Sequence, residues 1–229
     1  MGRRSALTAV LIALPILAFV GVYLAFFTPD APPPVTLNDP PQATAGSVGD
    51  PTGFWTVASG SEAGYRVREK LVRLPAPSDA VGKTSAVTGQ LFVDRQEGRL
   101  VAREVFVEVD MTQLRSDETR RDRALRERGL ETDRYPVASF TAAGPIPIPE
   151  EALGGSTVRL ELPGELTLHG VTRPVTIPVE ARFSGGRAHV VGSMMIAMSD
   201  FDITPPNVAN IVTVEPEGTL EFNLMLTKS

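Results

Sequence analysis

Cysteine is absent from the 229-residue chain, and this absence excludes several kinds of site. The fold can have no disulfide, and neither a thiolate metal ligand nor a lipid-modified N-terminal cysteine is available. Histidine is almost as scarce, since the chain has only His169 and His189. A zinc site needs three or four convergent ligands, so we expect no metal centre.

The motifs of the common enzyme classes are also missing. Ser193 and Ser199 lack the adjacent base or Ser-x-x-Lys spacing that would mark a nucleophile. There is no glycine-rich phosphate loop, and Asp200 and Asp202 have no third acid at calcium-ligand spacing. The sequence therefore predicts a protein that is not an enzyme and needs no cofactor.

Positive charge is in deficit, because 22 Lys and Arg residues stand against 27 Asp and Glu residues. Without Arg3 and Arg4, the other 20 basic residues leave a net charge of −7. A domain this acidic is a poor partner for nucleic acid, so we expect no nucleic-acid binding.

The chain has one long uncharged apolar run, the 23 residues from Ser5 to Phe27. At about 1.5 Å per residue this run can cross a hydrocarbon core of about 30 Å. Arg3 and Arg4 precede it, which places residues 1–4 in the cytoplasm. A cleaved signal peptide, the alternative, would have a shorter apolar core and a small-residue cleavage site. We therefore expect residues 5–27 to be a single-pass membrane anchor, with the remainder extracytoplasmic at the cell surface or in the periplasm.

The segment that follows the run is rich in proline. Thr28 to Thr52 contain seven prolines and no basic residue. Such a composition cannot bury enough apolar surface to fold. Residues 28–53 are accordingly predicted to be a flexible linker, and residues 54–229 a folded domain.

Apolar and polar residues alternate through most of that domain. From Val175 to Phe183 every odd residue is apolar and every even one is polar or proline, and residues 105–110, 157–162 and 219–226 alternate in the same way. This pattern is typical of antiparallel strands with one buried face. About eight strands fit a sandwich or a barrel, and closure removes exposed edges. Pro178 on the outward face predicts an edge position or a bulge.

One segment, Ser116 to Gly129, breaks the alternation. It offers a serine N-cap, acids in its first turn, arginines near its end and a terminal glycine. We expect one short charged helix that lies across an end of the barrel.

Three methionines, Met194, Met195 and Met198, fall within five residues. Methionine fills irregular apolar space, so this cluster fits either ordinary core packing or a pocket for an apolar ligand. An eight-stranded barrel interior can be filled by side chains or can hold one small ligand, and both alternatives stay open at this point.

Three blocks of sequence resemble the YceI-like family of bacterial isoprenoid-binding domains. The most specific is Gly164 to Val175, GELTLHGVTRPV, which matches the family pattern G-x-L-T-hydrophobic-x-G-V-T-basic-P-V. The second is Trp55-Thr56-Val57 with Gly64-Tyr65-Arg66-Val67, and the third is Arg121 to Leu125 with Tyr135-Pro136 and Phe140. Many members have a histidine where this chain has Ala124, so a role for that histidine is not carried over.

The resemblance implies a lipocalin-like, eight-stranded antiparallel barrel, binding of an isoprenoid lipid inside it, and no enzymatic activity. Inferred inward faces then predict an isoprenoid cavity lined by Tyr65, Val67, Phe92, Val105, Val107, Phe140, Leu166, Leu168, Met194, Ile196, Met198 and Phe222. The polar and turn residues of the family motifs are expected to be structural, namely Arg121, Asp122, Gly164, Gly170, Thr172 and Pro174.

The predicted function is therefore binding of a polyprenyl lipid or quinone, for transport, storage or protection, by a membrane-anchored domain. The partners expected are that lipid and, through the N-terminal helix, the membrane; a homodimer is left open. One alternative is an envelope interaction module whose barrel is fully packed. The other is an enzyme that acts on an isoprenoid lipid, which the missing catalytic motifs disfavour.

Overall fold

The computed structural model describes residues 31–37, 49–71, 77–184, 186–205, 207–208 and 212–229. The predicted anchor at residues 5–27 and most of the predicted linker lie outside these residues. Within the described ranges, no helix has the length and apolar character that a membrane crossing requires.

Antiparallel strands make up most of the described chain. In β9, for example, the even residues from Val158 to Leu168 face inward and the odd ones face solvent, as the alternation predicts. The strands are β1 (Gly53–Val57), β2 (Glu62–Leu71), β3 (Ser78–Thr84), β4 (Val87–Gln96), β5 (Arg99–Asp110), β6 (Arg115–Ser116), β7 (Val137–Ala142), β8 (Ile146–Pro147), β9 (Val158–Leu168), β10 (Val171–Ser184), β11 (Arg187–Ala197), β12 (Asn207–Val208) and β13 (Val212–Lys228).

These segments occupy eight positions in one closed barrel. β1 and β2 pair with successive parts of β13, and β3 and β4 pair with β2 and β1 in turn. The order around the barrel is β1, β4, β5, β7, β9, β10, β11 and β13, and the pairing of β13 with β1 closes it. The predicted all-β, eight-stranded antiparallel barrel is confirmed.

The predicted helix is present, but it starts later than the sequence suggests. α1 spans Thr119–Ala124 and continues as one π-helical turn, Leu125–Gly129. The N-cap is Glu118, whose side chain accepts a hydrogen bond from the Arg120 N–H. Ser116, the expected cap, instead belongs to β6 and pairs with Gly82 of β3. Sheet pairing therefore takes precedence over the local capping preference. Short 3₁₀ turns occur at Met111–Gln113, Glu150–Gly154 and Met198–Phe201.

One end of the barrel is tightly packed, and we call it the Trp55 end. Trp55 is 2% exposed, donates its indole N–H to the Pro51 carbonyl at 2.8 Å, and meets the Phe183 ring edge-on at 5.6 Å. The other buried members of this cluster are Val93, Leu100, Ala102, Val105, Ile146, Ile148, Ala152, Val158, Ala181, Ala188 and Leu226. The opposite end, where α1 lies, is called the Arg121 end.

β10 and β11 separate toward the Arg121 end. Among the described residues, β10 pairs with β11 only from Val179 to Ser184. It pairs with β9 from Val171 to Ala181. Pro174 and Pro178 lie on the part of β10 without β11 pairing, and proline has no N–H to donate to a ladder. Pro178 thus lies at a local edge, as expected: it pairs with Glu161 of β9, and the described pairing of β10 with β11 begins only at Val179.

Candidate functional site

Phe92 does not belong to the barrel interior, and its assignment to the cavity is wrong. Its ring lies on the outer face, 4.7 Å from the Phe54 ring, which is itself 53% exposed, and the Arg103 guanidinium lies 5.4 Å from its centroid. The inner face of β4 is taken by its neighbours Leu91 and Val93, which pack in the Trp55-end cluster. Because Leu91, Phe92 and Val93 are all apolar, alternation cannot tell which of them faces inward.

The other apolar residues predicted for the cavity lie on the inner face. Val105 packs in the Trp55-end cluster, whereas Val107 stands directly opposite Phe140 and Tyr65 stands opposite Leu220. The remainder share two clusters between mid-barrel and the Arg121 end: Val67, Phe140, Leu166, Leu168, Met194, Ile196, Met198 and Phe222.

Much of the inner face beyond the Trp55 end is only half-buried. In a close-packed interior, neighbouring side chains would cover a large apolar side chain that points into the barrel, so accessible surface on it marks incomplete packing. Met194 is an example, because it packs against both inner clusters and is still not fully covered. The half-buried inner residues are Val67, Val175, Met194, Ile196, Leu220 and Phe222, together with Leu160, Leu162 and Val190, which also pack against the Trp55-end cluster. This uncovered apolar surface lines what we call the lumen.

Glycines in three strands allow aromatic rings to lie along the wall of the barrel. A Cβ on Gly82 would stand 2.3 Å from the Tyr65 ring, one on Gly164 would stand 2.5 Å from the Phe140 ring, and one on Gly192 would stand 2.5 Å from the Phe222 ring. Each ring thus occupies the place of a missing side chain on the neighbouring strand. Rings held against the wall take less of the lumen than rings that project across it.

The most specific family block forms a strand–turn–strand unit, β9 to β10. His169 and Gly170 turn the chain with φ values of 52° and 75°, as a two-residue hairpin requires. A side chain on Gly170 would collide with the Tyr135 ring, which lies 2.6 Å from its ideal Cβ. Thr172 bonds to the Thr167 hydroxyl across the two strands at 2.8 Å. Pro174 pairs with Glu165 on the same ladder.

Arg121 and Asp122 hold α1 to the barrel. The Arg121 guanidinium donates to both carboxylate oxygens of buried Glu69 on β2, at 3.0 and 3.2 Å, and it also donates to Asp117. Asp122 accepts hydrogen bonds from the backbone N–H and the hydroxyl of Ser116, at 2.9 and 2.7 Å. Both motif residues are thus engaged in contacts within the protein.

A small cleft lies between this helical segment and the barrel. It has a volume of about 10 Å³, room for about one water, and Tyr65 is one of the residues that line it. The Tyr65 hydroxyl is buried and finds no hydrogen-bond partner in the described part of the chain. The cleft is lined by Tyr65, Met111, Thr112, Leu114, Asp122, Leu125, Arg126, Leu130 and Thr132.

The two histidines are used within the fold. His169 is buried, its Nδ1 lies 3.0 Å from the Phe201 carbonyl, and its ring lies 4.4 Å from the Tyr135 ring. His189 Nε2 lies 2.6 Å from the Asn223 side-chain oxygen. Among the described residues, no three His, Asp or Glu side chains stand close enough together to hold a metal ion.

Several inner residues were missed in the sequence although the signal for them was present. Leu160, Leu162 and Leu220 share the parity of Leu166 and Phe222 on their strands, so alternation places them on the same face. A glycine inside a strand pattern, such as Gly192, can likewise indicate close approach of a neighbour. The cleft had no such signal, because its residues come from segments far apart in sequence.

Residues 55–226 match the model of the YceI-like domain family. The chain belongs to the YceI-like family. The match runs from Trp55 in β1 to Leu226 in β13, and it includes the β9–β10 hairpin and α1.

Curated relatives of this YceI-like chain include proteins from Vibrio parahaemolyticus and Escherichia coli. A UPF0312 protein of Vibrio parahaemolyticus is 29% identical over 141 residues, which cover 58% of this chain and 70% of the relative. Protein YceI of Escherichia coli is 32% identical over 109 residues, which cover 44% of this chain and 53% of the relative.

Solved structures share the fold. A polyisoprenoid binding domain from Saccharophagus degradans, implicated in plant cell wall breakdown, superposes with a TM-score of 0.60 at 17% identity, over 78% of this chain and 99% of that domain. BcnA of Burkholderia cenocepacia gives a TM-score of 0.51 at 20% identity, over 71% and 95% of the two chains.

Proposed function

We propose that this YceI-like protein binds an isoprenoid lipid with its hydrocarbon tail in the lumen. The observation that supports this most directly is the half-buried apolar inner face beyond the Trp55 end. A water-exposed cavity lined by leucine, valine, isoleucine and methionine is unfavourable, and a prenyl tail is the kind of ligand that removes it from water.

The family supports the same class of ligand. The Saccharophagus degradans domain is a polyisoprenoid binding domain and shares this barrel. Neither catalysis nor a cofactor enters the proposal, because the lumen offers apolar contacts rather than reactive groups.

The energetics favour a carrier or protective role over irreversible capture. Burial of each methylene-sized group from water stabilises the complex by about 0.8 kcal/mol. A bilayer solvates the same tail equally well, so net transfer between membrane and lumen should be close to neutral. Residues 5–27 would keep the barrel at the outer face of the membrane, with residues 28–53 as the tether.

A pair of substitutions on adjacent residues of β11 tests the lumen. Met194 points into the barrel, whereas Met195 points outward and is 67% exposed. Met194→Trp should fill part of the lumen and lower lipid loading at least about fivefold, while Met195→Trp should leave loading unchanged. The full chain would be loaded with a long-chain polyprenol in detergent micelles and analysed by native mass spectrometry.

Urea denaturation of both variants separates lipid loss from unfolding. Normal loading of a folded Met194→Trp variant would contradict a tail in the lumen. A bare polypeptide mass for the wild-type chain after loading would reject lipid binding altogether and favour an interaction module.

A further inference from the structure

The Tyr65 hydroxyl is a buried hydrogen-bond donor that the described protein leaves unused. Tyr65 is 9% exposed, its ring and hydroxyl lie against Gly82, and the residue lines the cleft under the α1 segment. A buried polar group without a partner is unfavourable by about 1–3 kcal/mol. Such a group persists where a water or a ligand satisfies it.

The cleft adjoins the inner apolar cluster at the Arg121 end. Met111 and Leu130 line the cleft and also pack against the inner cluster that contains Leu166 and Met198. Tyr65 therefore places one polar donor beside the apolar inner face that lines the lumen. This arrangement matches a ligand that has one polar end and a long apolar tail.

The charges around the hydroxyl favour a neutral polar end. Burial raises the pKa of Tyr65 well above its ordinary value, and the carboxylates of Asp122, Glu69 and Asp117 raise it further against the opposing effect of Arg121. The hydroxyl is accordingly a proton donor at any physiological pH. With Arg126 in the cleft lining, three carboxylates stand against two guanidinium groups, so an anion is disfavoured here.

We infer that Tyr65 donates a hydrogen bond to an uncharged oxygen, such as a carbonyl, at the polar end of the bound isoprenoid. This inference rests on the proposed function and adds a head-group preference to it: a neutral oxygen acceptor over a phosphate. The small cleft takes the acceptor atom, and the rest of the head group lies beside α1.

The test compares three ligands on the full chain and on Tyr65→Phe. The probes are a prenyl quinone, the prenyl phosphate with the same tail, and squalene, a hydrocarbon without a polar end. Wild type should bind the quinone about tenfold more tightly than Tyr65→Phe does, because a single hydrogen bond to a buried group is lost. Squalene should bind both proteins equally, and the phosphate should bind wild type more weakly than the quinone does.

Tyr135→Phe is the matched control, since it removes a phenol hydroxyl that does not line the cleft. An infrared spectrum of the bound, carbon-labelled quinone gives a second readout, because a hydrogen-bonded carbonyl absorbs at lower frequency. That shift should be present in wild type and absent in Tyr65→Phe.

The outcomes distinguish failure of the inference about Tyr65 from failure of the proposed function. Equal quinone affinity and an unshifted carbonyl in both proteins would mean that only water occupies the cleft and would overturn the role of Tyr65. Tighter binding of the phosphate than of the quinone would overturn the neutral-head preference. Failure of wild type to bind even squalene would instead reject the proposed function.

Discussion

At the scale of single residues, glycines in the strands allow neighbouring groups to approach the backbone closely. Gly164 and Gly192 both lie in strands beneath an aromatic ring, but they differ in what surrounds them. An ideal Cβ on Gly164 would stand 2.4 Å from the Thr141 carbonyl oxygen, which is backbone and cannot move away. The atoms nearest to an ideal Cβ on Gly192 belong to the side chains of Phe222 and Val179.

The same substitution should therefore have different effects at the two glycines. Gly164→Ala is expected to lower the free energy of unfolding by about 3 kcal/mol, since strands β7 and β9 must separate locally. Gly192→Ala should lower it less, by about 1 kcal/mol, because the Phe222 side chain can move away from the strand by a change in χ1. Urea denaturation followed by far-ultraviolet circular dichroism measures both. Equal losses would show that backbone approach at Gly164 is not the constraint.

At the scale of elements, a largely buried ion pair contributes to holding a short charged helix on the barrel. α1 has few apolar residues, and isolated helices of this length are not stable in water. The Arg121 and Glu69 side chains are only 19% and 10% exposed, so their bidentate pair lies largely out of solvent. Removal of one partner leaves a buried charge uncompensated.

Arg121→Ala should consequently lower the free energy of unfolding by about 3 kcal/mol. Arg120 provides the control: it is exposed on the same helix, and its substitution by alanine should change stability by less than about 0.5 kcal/mol. Guanidinium denaturation at low protein concentration measures the difference. A loss below about 1 kcal/mol for Arg121→Ala would mean that other contacts hold the segment.

At the scale of the whole molecule, the barrel has two unlike halves. The Trp55 end includes the least exposed core residues, with Val93 at 0% and Leu100 at 1% exposure. Toward the Arg121 end several inner residues, such as Met194 and Phe222, keep uncovered surface. The burial of the Trp55 end stabilises the closed sheet independently of any ligand.

The single tryptophan reports on the packed half alone. Trp55 is 2% exposed, so acrylamide should barely quench its fluorescence in the native protein. Loading with a prenyl lipid should leave both the emission maximum and the quenching constant unchanged, because the tail does not reach this cluster. A blue or red shift on loading would place the ligand at the Trp55 end and contradict the two-part interior.

Local pattern was sufficient to predict antiparallel strands and most of their inner faces, whereas the family resemblance favoured a barrel over a sandwich. Alternation repeats every two residues along a strand, so it can be read without knowledge of the neighbouring strand. Val105, Phe140, Leu166 and Met194 were assigned inward on this basis, and they lie inward. The β9–β10 motif, with its Gly170 turn, likewise needs only adjacent residues.

The sequence by itself determined the fold class, the absence of disulfides and the parity of each clearly alternating strand, because these depend on residues close together in the chain. Only the tertiary structure decided that Phe92 faces outward beside Phe54, that Ser116 pairs in the sheet and does not cap the helix, and that Pro178 stands where two strands part. It alone joined Tyr65 to Met111 and Leu130 in one cleft. Each of these depends on which strand or loop lies alongside, and chain closure brings together residues that no local period relates.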